Sequence, residues 1–245
     1  SAGGPGVGGR GLNWLSRWLS YRLTQPVAEY VPFAPMETEA EYACLRPGDV
    51  LLVEGDQRVS VVIKYITQST WSHAALFVGA AGGEGGELVE ADLCCGVRVV
   101  PLERYRNFNV RICRPVGLTD VDCAKVVAFV MARVGQGYDL RNVTDLARYI
   151  FPVGARRRRG LATLGSGDAS QAICSTLIAE AFQSVRYPIL PERLTVRGGE
   201  RFRIRHHTLF TPRDFDLSPY FQVVKPTLAR GFDYRQVRWV DRDSP

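Results

Sequence analysis

From Leu45 onward apolar residues come in short runs closed by turn-forming residues, and from Thr119 onward they recur every three or four positions. The first pattern predicts strands and the second predicts helices. Arg46-Pro47-Gly48-Asp49 is turn chemistry, and the DVLLVEG that follows reads as a short apolar strand. VSVVIKYITQST carries β-branched residues but does not alternate cleanly, so it predicts a helix. HAALFVGA is a buried strand, GGEGG at 82–86 its turn and ELVEADL the returning strand. That GGEGG lacks the Gly-Lys-Ser/Thr ending of a phosphate loop. GVRVVPLERY and NVRICRPV add two strands, the first placed at a sheet edge by Pro101, which has no N–H to give a neighbour.

The helical half begins where Thr119 or Asp120 caps a run through Val121, Ala124, Val127 and Val130, up to Gly135. NVTDLARYIF is a shorter helix stopped by Pro152, and residues 154–169 form a basic, Gly-rich loop. CSTLIAEAFQSV is the third helix, with Cys174, Leu177, Ile178, Ala181 and Phe182 on one face. The remainder, rich in Pro and Arg, offers one short strand at FQVVK. Strands gathered first and helices after them predict an α+β domain, a mostly antiparallel sheet with helices against one side.

Upstream of this core, Leu12, Leu15, Trp18 or Leu19, and Leu23 fall at helical spacing, flanked by Trp14, Arg17 and Arg22, with Pro26 as the stop. Two uses fit this amphipathic helix: packing back on the domain, or lying in a membrane interface, where Trp and Arg are both favoured. Residues 31–41, with two prolines, read as a connector. The organisation is therefore a tail, helix and connector over 1–44, one domain over 45–226 and a tail over 227–245. At 245 residues one decorated core is the default, and 46% hydrophobic with 23% charged residues excludes wholesale disorder.

Charge adds a partner class. A net charge of +6, densest at Arg156–Arg159, favours an anionic surface, lipid or nucleic acid. The basic residues are not interleaved with aromatics in a nucleic-acid module, so nucleic acid is disfavoured. Ser1–Gly9 is Gly-rich and uncharged, unlike an export signal, and no apolar run approaches the ~20 residues that span a bilayer. The expected location is the cytoplasm, with peripheral attachment at a membrane. Cys94 and Cys95 are adjacent, Cys44, Cys113 and Cys123 read as small core residues, and no C-x-x-C pair or nearby His suggests zinc.

Three residues carry chemistry. Among three histidines, His206 and His207 sit together in an Arg-rich surface segment, whereas His73 opens an apolar strand and is thereby placed at its rim. Cys174 falls in the first turn of its helix, where the dipole and amide donors favour thiolate. A Cys–His pair needs a third group to orient the imidazole. Glu90 lies on the strand that returns beside the His73 strand, and a carboxylate between Val89 and Ala91 is costly unless partnered. An outward-facing Glu90, and core roles for His73 and Cys174, are the plainer alternatives.

LRPGDVLLVEG, WSHAALFVG, LVEAD with GVRVVPLERY, GQGYDL and ICSTLIAEAF, in that order, resemble the permuted papain-type hydrolases related to NlpC, the YiiX and YebB-like group. In ordinary papain-type enzymes the Cys helix precedes the His strand; in this group, as here, it comes last. TPRDFDLSPYFQVVKP is similar to a C-terminal segment of a bacterial subset labelled lipo-like proteins. The resemblance covers residues 45–226 and implies a papain-like, circularly permuted α+β fold, an antiparallel sheet or partial barrel packed against helices. It implies Cys174 as nucleophile, His73 as base and Glu90 as the orienting group, with Tyr138-Asp139 near the cleft and no cofactor or metal. The implied activity is hydrolysis or acyl transfer at an amide, ester or thioester carbonyl, on a lipid-like substrate, with a peptidoglycan-type peptidase or amidase as the alternative. A papain-type shell used only for binding and a basic nucleic-acid binder are the rival classes. A long sulfur–imidazole distance favours the first, and steep salt-dependent DNA or RNA binding the second.

Overall fold

Val50–Val53 (β1) is buried along its whole length, so this strand has both faces covered. Even-numbered Val50 and Leu52 enter one apolar cluster, and Leu51 and Val53 enter another. That division, which follows from the two-residue repeat of a strand, organises the whole fold. The computed structural model describes residues 43–56, 58–79, 86–92, 95–137, 173–196, 199–225, 233 and 235.

After β1 come helix α1 (Arg58–Thr67), β2 (His73–Gly79), β3 (Glu87–Asp92), β4 (Gly96–Pro101) and a single 3₁₀ turn, Leu102–Tyr105. Then follow β5 (Val110–Pro115), α2 (Asp120–Met131), α3 (Ile173–Ser184), the hairpin β6 (Glu192–Val196) and β7 (Gly199–Arg203), α4 (Pro212–Leu217) and β8 (Phe221–Val224). Six strands form one sheet in the order β4-β3-β2-β1-β5-β8, every neighbouring pair antiparallel. The sheet is open among the described residues. Its rims are β4 and β8, so of the two forms expected, sheet or partial barrel, the structure has the sheet.

The Pro101 strand does lie at an edge. That edge is partly covered: Val97 N–H donates to Gln136 O (3.0 Å) and Val97 O accepts from Gly135 N–H (2.8 Å). Pairing of this kind blunts an edge that would otherwise invite strand addition. The close approach requires Gly96, whose φ is +69° and whose missing Cβ would strike the Gln136 carbonyl.

α3 packs over β2 and β3 and against α2, burying Cys174, Leu177, Ile178, Ala181 and Phe182 as its spacing predicts. α2 is capped by Thr119, whose hydroxyl accepts from the Asp122 amide (3.2 Å). Its inward residues are Val126 and Val130; Val121, expected on that face, is 66% exposed and Ala124 is also outward. Valines on both sides of the helix blur its stripe, and packing selects the i, i+4 pair. The chain after Pro188 holds more structure than one strand: a hairpin and α4 precede β8. α4 opens with a capping box between Thr211 and Asp214 and has Pro212 in its first turn. Cys113 is buried as expected, but Cys44 and Cys123 are only half-buried, and Cys123 Sγ donates to Pro47 O (3.0 Å).

The N-terminal amphipathic helix, the 31–41 connector, residues 82–85, Cys94, Tyr138-Asp139, NVTDLARYIF and the 154–169 loop lie outside the described residues. Among the described residues, no helix is long and apolar enough to cross a membrane.

Candidate active site

His73 is the first residue of β2, and the backbone on either side of it is tied down. Ser72 N–H donates to Val53 O (3.1 Å), and Ser72 Oγ accepts from Gly55 N–H (2.9 Å). Trp71, buried just before them, donates its indole N–H to Asp216 of α4 (3.1 Å). Asp216 also accepts from Arg111 (2.6 Å), whose guanidinium lies 4.9 Å from the Trp71 ring. The far C-terminal segment thus holds the lead-in to the histidine.

Glu90 reaches His73 diagonally across the sheet. Leu76 pairs with Val89, so one step further puts Ala75 opposite Glu90, and His73 two residues on along the same face. A long side chain spans that diagonal. His73 Nε2 and Glu90 Oε2 are 2.9 Å apart. Glu90 is 1% exposed and His73 21%, so the carboxylate is sealed beneath an imidazole that water can reach. The outward-facing alternative for Glu90 is excluded.

Cys174, 4% exposed, lies in the first described turn of α3, and its side chain hydrogen-bonds His73. The three residues picked from sequence therefore meet. Burial by itself lowers the pKa of His73. The negative charge of Cys174, the hydrogen bond to it and then the bond to and charge of Glu90 outweigh burial and carry it from 6.5 to about 10. Burial pushes Glu90 up. The hydrogen bond and charge of His73, the Tyr105 hydrogen bond and the Arg98 charge prevail and hold it at about 2. His73 and Glu90 are thus held together as an ion pair. Burial drives the Cys113 thiol up to about 12.

Sequence reasoning missed Arg98 and Tyr105. Arg98, directly opposite Glu90 on β4, donates from Nε to Oε1 (2.9 Å) and forms an ion pair with it, Nη2 lying 2.8 Å from the same oxygen and donating to Asp92 Oδ2 (3.3 Å). Tyr105, at the end of the 3₁₀ turn, donates its hydroxyl to Oε2. Its ring lies 6.0 Å from the His73 ring. Arg104 stands further off, 3.9 Å from Oε1. The Arg98 contact was readable, because a Glu and an Arg eight apart across a tight hairpin fall opposite one another. The Tyr105 contact depends on a turn that has no such signal. His206 and His207, in the chain's C-terminal region, stack on each other at 4.2 Å.

The chain is similar to the probable lipoprotein peptidase YaeF of Escherichia coli (strain K12), 23% identical over 164 residues, which cover 59% of this chain and 58% of that protein. It thus spans little more than half the length of the curated relative it matches. Among solved structures it is similar to the metalloprotein yiiX of Escherichia coli O157:H7, with a TM-score of 0.48 and 15% identity over 74% of this chain and 96% of that one. No protein-family profile matches the chain. Among the described residues, no cluster of three His, Cys, Asp or Glu side chains is arranged to hold a metal ion.

Proposed function

We propose that the chain is a cysteine hydrolase or acyltransferase of permuted papain-like fold, acting on an amide, ester or thioester carbonyl. The observation that carries this reading is one continuous chain of contacts: the Cys174 side chain on His73, and His73 on a buried Glu90. A nucleophile, a base and an orienting acid in contact are what thiol acyl chemistry requires.

In the proposed reaction the Cys174 thiolate attacks the carbonyl carbon, and the C=O electron pair moves onto oxygen. Amide donors at the start of α3 are suited to stabilise that oxyanion. As the tetrahedral species collapses, the bond to the leaving group breaks and the imidazolium gives it a proton, leaving a thioester on Cys174 and a neutral His73. The imidazole then takes a proton from water, or from another acceptor. That oxygen or nitrogen attacks the thioester and thiolate departs, restoring the ion pair.

The substrate has two branches, peptide-like and lipid-like. The name of the YaeF relative, a probable lipoprotein peptidase, supports a peptide amide. A lipid-like ester, with attachment at an anionic membrane, rests on the amphipathic pattern and the positive charge of the sequence. Labelling with an electrophilic acyl probe, followed by peptide mass spectrometry, tests the chemistry. The expected adduct is on Cys174 and is lost in Cys174→Ala; an adduct that persists on another cysteine overturns the assignment.

A further inference from the structure

Glu90 receives more than an orienting acid needs. Oε2 accepts from both His73 Nε2 and the Tyr105 hydroxyl, while Oε1 accepts from Arg98 Nε and is ion-paired with the same guanidinium. Both extra donors come from one short piece of chain, β4 and the 3₁₀ turn that follows it. Arg98 is fixed by its register opposite Glu90, and Tyr105 by burial and by edge-on packing on Phe108 at 5.7 Å. With both oxygens engaged, the carboxyl group cannot turn without breaking charge-assisted bonds.

This arrangement governs the proton on His73. A carboxylate can only accept, so while Glu90 is ionised the imidazole must donate from Nε2. Nδ1 is then the nitrogen left for the proton exchanged with Cys174 and, later, with water. A protonated Glu90 would instead donate to Nε2, placing the imidazole proton on Nδ1, where no base remains. The danger is greatest in the acyl-enzyme, because thioester formation removes the thiolate charge that favours imidazolium. Buried as it is, Glu90 would protonate readily there without other donors.

We propose that Arg98 and Tyr105 are positioning residues that act through Glu90: together they keep its carboxylate ionised and aimed, and thereby fix the His73 tautomer that leaves Nδ1 free. This rests on the thiol acyl reading above and names residues that reading does not contain. Neither side chain touches the reacting atoms.

The test uses the full chain and needs no substrate. Cys174 is alkylated with iodoacetamide, which removes the thiolate as acylation would. The Glu90 carboxyl is then titrated by ¹³C NMR, and the His73 tautomer is read by ¹⁵N NMR. In unsubstituted protein the neutral imidazole is expected to carry its proton on Nε2. Tyr105→Phe and Arg98→Gln should each raise the Glu90 titration by about one pH unit, and the double variant by more, with Nδ1–H tautomer appearing. Phe221→Leu, a core change beside Phe182 and Phe215 and apart from the donors to Glu90, should lower stability without moving either signal. A Glu90 titration unmoved in Tyr105→Phe and Arg98→Gln, or moved equally by Phe221→Leu, overturns the proposal. Failure of the underlying reading looks different: iodoacetamide would show no preference for Cys174 over the other cysteines of the unsubstituted chain.

Discussion

Replacing Glu90 by Gln removes one charge and leaves the shape, so its cost measures the electrostatics of the site. The folded protein holds Glu90 at about 2 against an ordinary 4.5. At ~1.36 kcal/mol per unit, a depression of about 2.5 units corresponds to about 3 kcal/mol of stability. A depressed carboxylate stabilises above its unfolded pKa, and that contribution is lost as pH falls toward the folded one. The relevant window therefore runs from 4.5 down to about 2. His73 sees the same interaction from the other side, and it is counted once. Its raised pKa gives stability that is complete below 6.5 and lost as pH rises through about 10. Urea unfolding of both proteins at neutral pH should show Glu90→Gln less stable by about 3 kcal/mol. One unit below the unfolded pKa the gap should have narrowed by about 1.4 kcal/mol. The alkaline loss of stability should also begin at lower pH in the variant. A gap that stays constant across the acid range would mean that lost packing or hydrogen-bond geometry, not charge, sets the cost.

Three further outcomes follow from the fold. Asp49 is buried and accepts from the Arg46 amide and twice from Arg114, at 2.7 and 2.9 Å, so Asp49→Ala should cost about 3 kcal/mol in urea unfolding by leaving the guanidinium only the Cys44 carbonyl. Phe182, wholly buried with Phe221 edge-on at 5.2 Å, should cost about 3–5 kcal/mol when cut to Ala, read by the same unfolding measurement. Gly96→Ala forces a Cβ toward the Gln136 carbonyl at positive φ and should speed amide hydrogen exchange at Val97; unchanged exchange there would show that the 135–136 segment yields at no cost.

The legible part of this molecule was the part written in short apolar runs and in helical spacing. Strands β1 to β5 and the α3 face follow from runs such as VLLV and from Cys174, Leu177, Ile178, Ala181 and Phe182 at helical spacing. His73, Glu90 and Cys174 stood out as chemistry-bearing residues at the end or inside of apolar elements, Glu90 by the cost of burying a carboxylate, and the resemblance to the permuted papain-type group joined them into one set. Two things escaped. The inward face of α2 was misread because its valines occupy several faces, leaving the decision to tertiary packing. The hairpin β6–β7 and α4 were missed because charged and proline-rich composition concealed them, although the Thr211-Pro212-Arg213-Asp214 cap was readable.

The donors to Glu90 show why a catalytic set is easier to find than its support. A triad member carries unusual chemistry in an unusual place, and either oddity marks it. Arg98 and Tyr105 are ordinary residues, one on an edge strand and one in a turn, and only the register of β3 with β4 makes them converge. Register is a pairwise property of two strands, invisible in either alone. A one-residue slip of β4 would swing Arg98 to the opposite face of the sheet and leave Glu90 buried with one fewer cation. Such a slip would also carry Val97 and Val100 out of their clusters. The apolar pattern that folds the edge strand therefore also enforces the electrostatics of the site.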